Sequence, residues 1–272
     1  PGVPSPCRGD DGVVTLTAQL RDGRFALVPV TLTEGQRRLD AADFPGLART
    51  GLHDGATLLA KARITGRTIQ EITRLARPGG LSGSGFLAAD EELLPVLTAD
   101  NETVAALGLT HADLAEPLFH AINLLASEIG FVYPSHSWEN LEGFLYGGRM
   151  VFVSGEATKG GQQSIFDDGI QGAWDLDLRR EPEDREQEFL RERYGDRGEG
   201  ALGRLIEGLS RIHTGEMVPQ YVMRYGFYEG HTEYRADPLA IAFIFGLRSV
   251  EEIEAAFPGR LPERLGVRPD GE

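Results

Sequence analysis

The densest group of ionisable side chains lies in Tyr225-Gly226-Phe227-Tyr228-Glu229-Gly230-His231-Thr232-Glu233-Tyr234-Arg235-Ala236-Asp237-Pro238. Glu229, His231 and Glu233 are residue types that move protons, a glutamate as general acid or base and the histidine as its partner. Arg235 offers a guanidinium that can hold negative charge, and Tyr225 and Tyr228 would line a cleft. Asp237 before Pro238 marks a helix start, because aspartate accepts from first-turn amides and proline suits the first helical position. The helix that follows, Leu239 to Phe245, is apolar all round, so it must be buried and its leading end firmly held. Such an end, with its free amides, also favours a bound anion. The competing reading is a structural loop in which Glu233 and Arg235 neutralise each other and His231 bonds to backbone.

A second group runs from Ser154 to Gly169, after the strand-like Met150 to Val153. Small residues around a lysine make an anion cradle when glycines let backbone amides approach a ligand and the ammonium adds a point charge. Here Lys159 would hold negative charge, while Glu156, Gln162 and Gln163 would bind polar or sugar groups. The run lacks the terminal Gly-Lys-Ser/Thr of a phosphate-binding loop, and a wide hairpin turn would account for it equally well. His213-Thr214-Gly215-Glu216 and His231-Thr232-Glu233 could pool metal ligands, but no diagnostic metal spacing is present. His213 reads as the end of an amphipathic helix, where its charge suits the dipole. In Tyr133 to Asn140, around His136, aromatic and hydroxyl groups alternate as in sugar-binding clefts, though a solvent-facing turn fits as well.

These residues need elements to hold them. Val13 to Leu20 and Phe25 to Leu32 flank Asp22-Gly23, the signal of a β-hairpin. Leu58 to Thr65 alternates as a third strand, and Thr68 with Glu71 forms a capping box that opens a helix. Leu81-Ser82-Gly83-Ser84-Gly85 reads as a flexible boundary loop. Residues 100–129 are helical, with a break expected at Pro117. Phe144 to Val153 forms a second hairpin around Gly147-Gly148, and a charged, exposed helix is expected from about Glu183. Leu202, Leu205, Ile206, Leu209 and Ile212 mark one helical face over 199–213. Val218 to Tyr228 reads as a strand, and Ser249 with Glu252 caps a last helix. The expected fold is α+β: a tail (1–12), a small β-rich lobe (13–80) and a larger, mainly helical part (81–272) with a second hairpin, forming one compact unit.

Composition bounds the function. With 42 acidic against 27 basic residues the formal net charge is −15, which disfavours nucleic acid and anionic membranes, since both are held by clustered cations. Leu107 to Glu116 resembles the entry to the recognition helix of helix-turn-helix repressors. It departs from that pattern at Pro117, and the following Leu118 to Ile129 is apolar rather than basic. No apolar run is long enough to span a bilayer. Cys7 is the single cysteine, so an intrachain disulfide cannot form, and a cytoplasmic location is the expectation. Taken together, the residues suggest a hydrolase using carboxylate and histidine acid–base chemistry on a polar, anionic or glycan-like small molecule, with no cofactor. The alternatives are a non-catalytic binding or scaffold protein with an acidic face, and a metal-dependent hydrolase with His and Glu ligands.

Overall fold

The computed structural model describes residues 13–32, 36, 65–127 and 141–270. The fold is α+β. Strands β1 (Val13–Leu20), β2 (Phe25–Thr31), β3 (Leu141–Tyr146), β4 (Arg149–Gln163), β5 (Gln171–Arg179) and β6 (Arg211–Gly215) form one antiparallel sheet in the order β2-β1-β3-β4-β5-β6. Both expected hairpins are present. β1 pairs with β2 across Asp22-Gly23, with Gly23 at φ 85° as the turn requires, and β3 pairs with β4 across Gly147-Gly148. The two hairpins join through β1 and β3, where Ala18 faces Phe144. The tail, Cys7, most of the strand expected over 58–65 and the segment around His136 lie outside the described residues.

Alternation along the strands sends Val14, Leu16, Val151, Val153, Leu176, Leu178 and Ile212 to one face of the sheet. There they form a single core with helices α3 (His111–Leu125), α5 (Glu199–Ser210) and α7 (Pro238–Ile244). A second cluster gathers α1 (Ile69–Ala76), Phe86, Leu87, α2 (Leu93–Ala106), Phe166 and α6 (Val218–Tyr225). Helices α4 (Asp184–Tyr194), α8 (Val250–Ala256) and α9 (Leu261–Arg264) and a short 3-10 turn (Gly195–Arg197) complete the described elements. Among the described residues no helix is long and apolar enough to cross a membrane.

Local signals account for most helix ends. Thr68 and Glu71 cap α1 reciprocally, Glu71 accepting from the Thr68 amide at 2.8 Å; Ser249 and Glu252 do the same for α8. Four expectations change. The break lies at Leu107 to Thr110 rather than at Pro117, which sits inside α3. Gly108 turns the chain there at φ 63°, and Arg248 holds the turn by donating to the carbonyls of Leu107 (2.7 Å) and Gly108 (2.9 Å). Val218 to Tyr225 is a helix, because Pro219 presets the first turn and Val218, Tyr221, Val222 and Tyr225 bury one helical face. Helix α5 ends at Ser210, so Ile212 and His213 belong to β6 instead. The small-residue run after Val153 is not a loop, since β4 continues to Gln163.

Candidate functional site

A cavity of about 530 Å³ opens at the end of the sheet. Its walls come from the loop Leu81–Phe86, from Gly161, Gln162 and Gln163 at the end of β4, from Gly172, Trp174 and Asp175 on β5, from Glu216 and Met217 before α6, and from Glu229 and Tyr234. The β4–β5 pairing makes room for it. Ala157 faces Trp174, but Gln162 faces Gly172, so β4 bulges away from its neighbour over the intervening residues. A side chain at Gly172 would press on Met217, since a Cβ would lie 2.9 Å from Met217 Cγ and that side chain would have to shift.

Glu229 forms the inner wall. It follows the end of α6, where Gly226 turns the chain at φ 63°, and itself adopts φ 65°, a conformation that costs energy in a non-glycine residue. The loop is held on both sides. The Gly230 amide donates to the Phe86 carbonyl at 2.8 Å, and Arg235 donates to the Glu229 carbonyl. Gly230 is confined against Glu91 and the Leu87 backbone, where a Cβ would clash. The Glu229 side chain is 4% exposed. Thr232 Oγ1 donates to its Oε2 at 3.1 Å. Burial drives its pKa well above the usual carboxylate value, against the pull of Thr232 and Arg235, and the charge of Asp175 raises it further.

Asp175 is the second carboxyl on the wall. Partial burial raises its pKa and His213 opposes the rise, while Glu156, Asp177 and Glu233 add to it. His213 Nδ1 lies 3.2 Å from Asp177 Oδ2, and its ring packs 5.0 Å from that of Tyr234. Of the carboxyls on the walls, Glu229 and Asp175 lie in unequal surroundings, the arrangement that separates an acid from a base.

The expected residues divide among several places. Glu229, Gln162 and Gln163 meet in the cavity. Glu156 and Glu233 stand close enough to act electrostatically on Asp175, and Glu233 accepts from Ser84 Oγ at 3.3 Å. His231 turns the other way. Its Nδ1 lies 2.5 Å from Glu91 Oε1, beside a separate hollow between α2 and α9, so it is not paired with Glu229. Arg235 is committed to Asp100, with contacts of 2.5 and 3.3 Å, and to Asp237 at 3.1 Å, leaving no free charge for a ligand. Tyr225 and Tyr228 are core residues. Tyr225 stacks on Phe166 with centroids 3.8 Å apart and donates to Asp168 at 2.9 Å, while the Tyr228 hydroxyl lies 2.8 Å from His111 Nδ1. Lys159 lies on β4, its side chain outside the described residues.

Asp175 and Trp174 are the functional candidates that sequence reasoning passed over. Their signal was present: Trp174-Asp175-Leu176-Asp177-Leu178-Arg179 alternates strictly, the mark of a half-buried strand. Among the described residues no group of three or more His, Cys, Asp or Glu is arranged to hold a metal ion. Comparison with protein families, curated proteins and solved structures finds no match to the chain.

Proposed function

We propose that the protein is a hydrolase acting on a polar, glycan-like substrate, with Glu229 as general acid and Asp175 as the paired carboxylate. One observation carries this reading: a buried carboxyl lines a cavity of ligand size. Burial keeps Glu229 protonated where an ordinary glutamate has ionised, so it can give its proton to a departing oxygen. Asp175, whose pKa burial raises modestly against the pull of His213 and far less than burial raises that of Glu229, takes up a proton from water or attacks the substrate, the two roles open to a second carboxylate in glycoside hydrolysis. Gln162 and Gln163 supply donors and acceptors for hydroxyls, and Trp174 and Tyr234 supply flat apolar faces. With Asp175, Glu216 and Glu229 on the walls, a neutral substrate suits the cavity better than an anion.

The test is hydrolysis of a panel of aryl glycosides and oligosaccharides by the intact protein. Glu229→Gln keeps the shape and lowers the rate about a hundredfold or more on any substrate cleaved. A variant as fast as the parent, or a panel left uncut, overturns the proposal.

A further inference from the structure

Away from the Glu229 cavity, the hollow of about 570 Å³ between α2 and α9 carries a second arrangement suited to proton transfer. His231 lines it, and Glu91 fixes the imidazole in place. One Glu91 oxygen, Oε1, lies 2.5 Å from His231 Nδ1, while Oε2 accepts from the amides of Ala88 at 2.8 Å and of His231 at 3.0 Å. Partial burial pushes the Glu91 pKa up, but His231 and the two amides outweigh it and hold the group below its ordinary value. Glu91 is therefore a carboxylate, which only accepts. The neutral imidazole then carries its proton on Nδ1 and its lone pair on Nε2, the tautomer of a general base oriented by an acidic partner. The His231 side chain is 69% exposed, so water reaches Nε2.

Most other charges around the hollow are already paired. Arg235 binds Asp100 and Asp237, Arg77 binds Glu92, and Arg260 binds Glu263. Arg264 differs. Its guanidinium enters no hydrogen bond or ion pair among the described residues, and its carbon lies 5.0 Å from the centre of the Phe257 ring. A guanidinium without a carboxylate of its own suits one on a ligand, and Pro95, Val96 and Leu239 offer apolar surface beside it. We infer that this hollow is a second reaction site, where His231 activates water against small esters bearing a carboxylate that Arg264 holds. As the water oxygen bonds to the ester carbonyl carbon, Nε2 takes a proton from it. The bond from that carbon to the alcohol oxygen then breaks, and Nε2 returns the proton to the departing oxygen, leaving acid and alcohol. The site is separate from Glu229 and does not rest on the reading of that cavity.

The experiment is hydrolysis by the intact protein of the mono-p-nitrophenyl ester of terephthalic acid, with p-nitrophenyl benzoate as its uncharged counterpart. The carboxylated ester should react with a kcat/KM at least about tenfold higher, the scale of one charge-assisted contact. His231→Ala should slow both esters about a hundredfold, and added imidazole should restore part of the loss beyond its own action on the ester. His231→Gln, which keeps a donor for Glu91, should be as slow, and thermal melts show that both variants fold. Arg264→Gln should raise KM for the carboxylated ester alone. No cleavage above the buffer rate, or histidine variants as fast as the parent, overturns the site. An Arg264→Gln variant that keeps the preference for the carboxylated ester overturns the anchor.

Discussion

Glu229 combines two unfavourable features, a positive φ and a buried carboxyl. Both persist only because the surroundings fix them, through Arg235 on its carbonyl and Phe86 on the next amide. The pH dependence follows from the direction of its shift. In the folded protein Glu229 keeps its proton well above 4.5, whereas in the unfolded chain it releases it near that value. Between those two points the folded state binds more protons, so stability declines as pH rises through the window. Glu229→Gln removes this liability while keeping an acceptor for Thr232. Its melting temperature should therefore rise relative to the parent as the pH is raised from about 4 to about 8. Thermal melts across that range decide it, and a constant difference would show that the carboxyl titrates normally. Activity carries the same sign: it should fall on the alkaline side, as the proton donor is lost.

At the scale of elements, the site depends on how the loop before α7 is tied down. Arg235 lies between Asp100 of α2 and Asp237, the residue that caps α7 by accepting from the Leu239 amide at 2.9 Å. Burial alone would lower the Arg235 pKa, but the two carboxylates outweigh it and hold the guanidinium charged. Burial raises Asp100 to about 6, so it remains ionised beside its partner at neutral pH. Arg235→Ala strands Asp100 without a counter-charge and should cost about 3–5 kcal/mol, read from urea unfolding at pH 7. A loss below about 1 kcal/mol, the scale of an exposed pair, would mean that water reaches the site. Gly230→Ala tests the other anchor. With the Leu87 backbone at 3.0 Å and Glu91 closer still, the methyl group should shift the loop, cost about 1–3 kcal/mol and lower turnover with it. Parent-like stability and rate would show that the loop relaxes freely. These ties also show what the sequence could and could not reveal. Asp22-Gly23, Thr68 with Glu71, Ser249 with Glu252, and Asp237-Pro238 act over a few residues, so their turns and caps were legible. Residues 154–163 misled because glycines in a long strand imitate a loop, and Val218 to Tyr225 misled because valine and tyrosine suit strands. Asp175 meets Glu229 only through the sheet order and the β4 bulge, pairings that no local pattern encodes.

Across the whole molecule, charge acts in two opposed ways that salt can separate. The surplus of 15 negative charges favours expansion of the chain through self-repulsion. Exposed pairs such as Arg24–Asp22, Arg77–Glu92 and Arg260–Glu263 work against it only weakly, because water screens them. Salt weakens both effects, with a screening length of about 10 Å at 0.1 M. The unpaired surplus acts across the whole surface, while each exposed pair acts locally and weakly, so relief of repulsion should dominate. The urea midpoint of the parent should therefore rise when NaCl is increased from about 0.02 to about 0.3 M. The drop in stability caused by Arg235→Ala should change less over the same range, because the Asp100–Arg235 pair is largely buried and screened less than the exposed pairs. A midpoint that falls with salt would show that the surface pairs hold the fold together. A cost of Arg235→Ala that shrinks with salt as steeply as an exposed pair's would show that the clamp beneath the cavity is open to solvent, and the rigid loop that presents Glu229 would lose its physical basis.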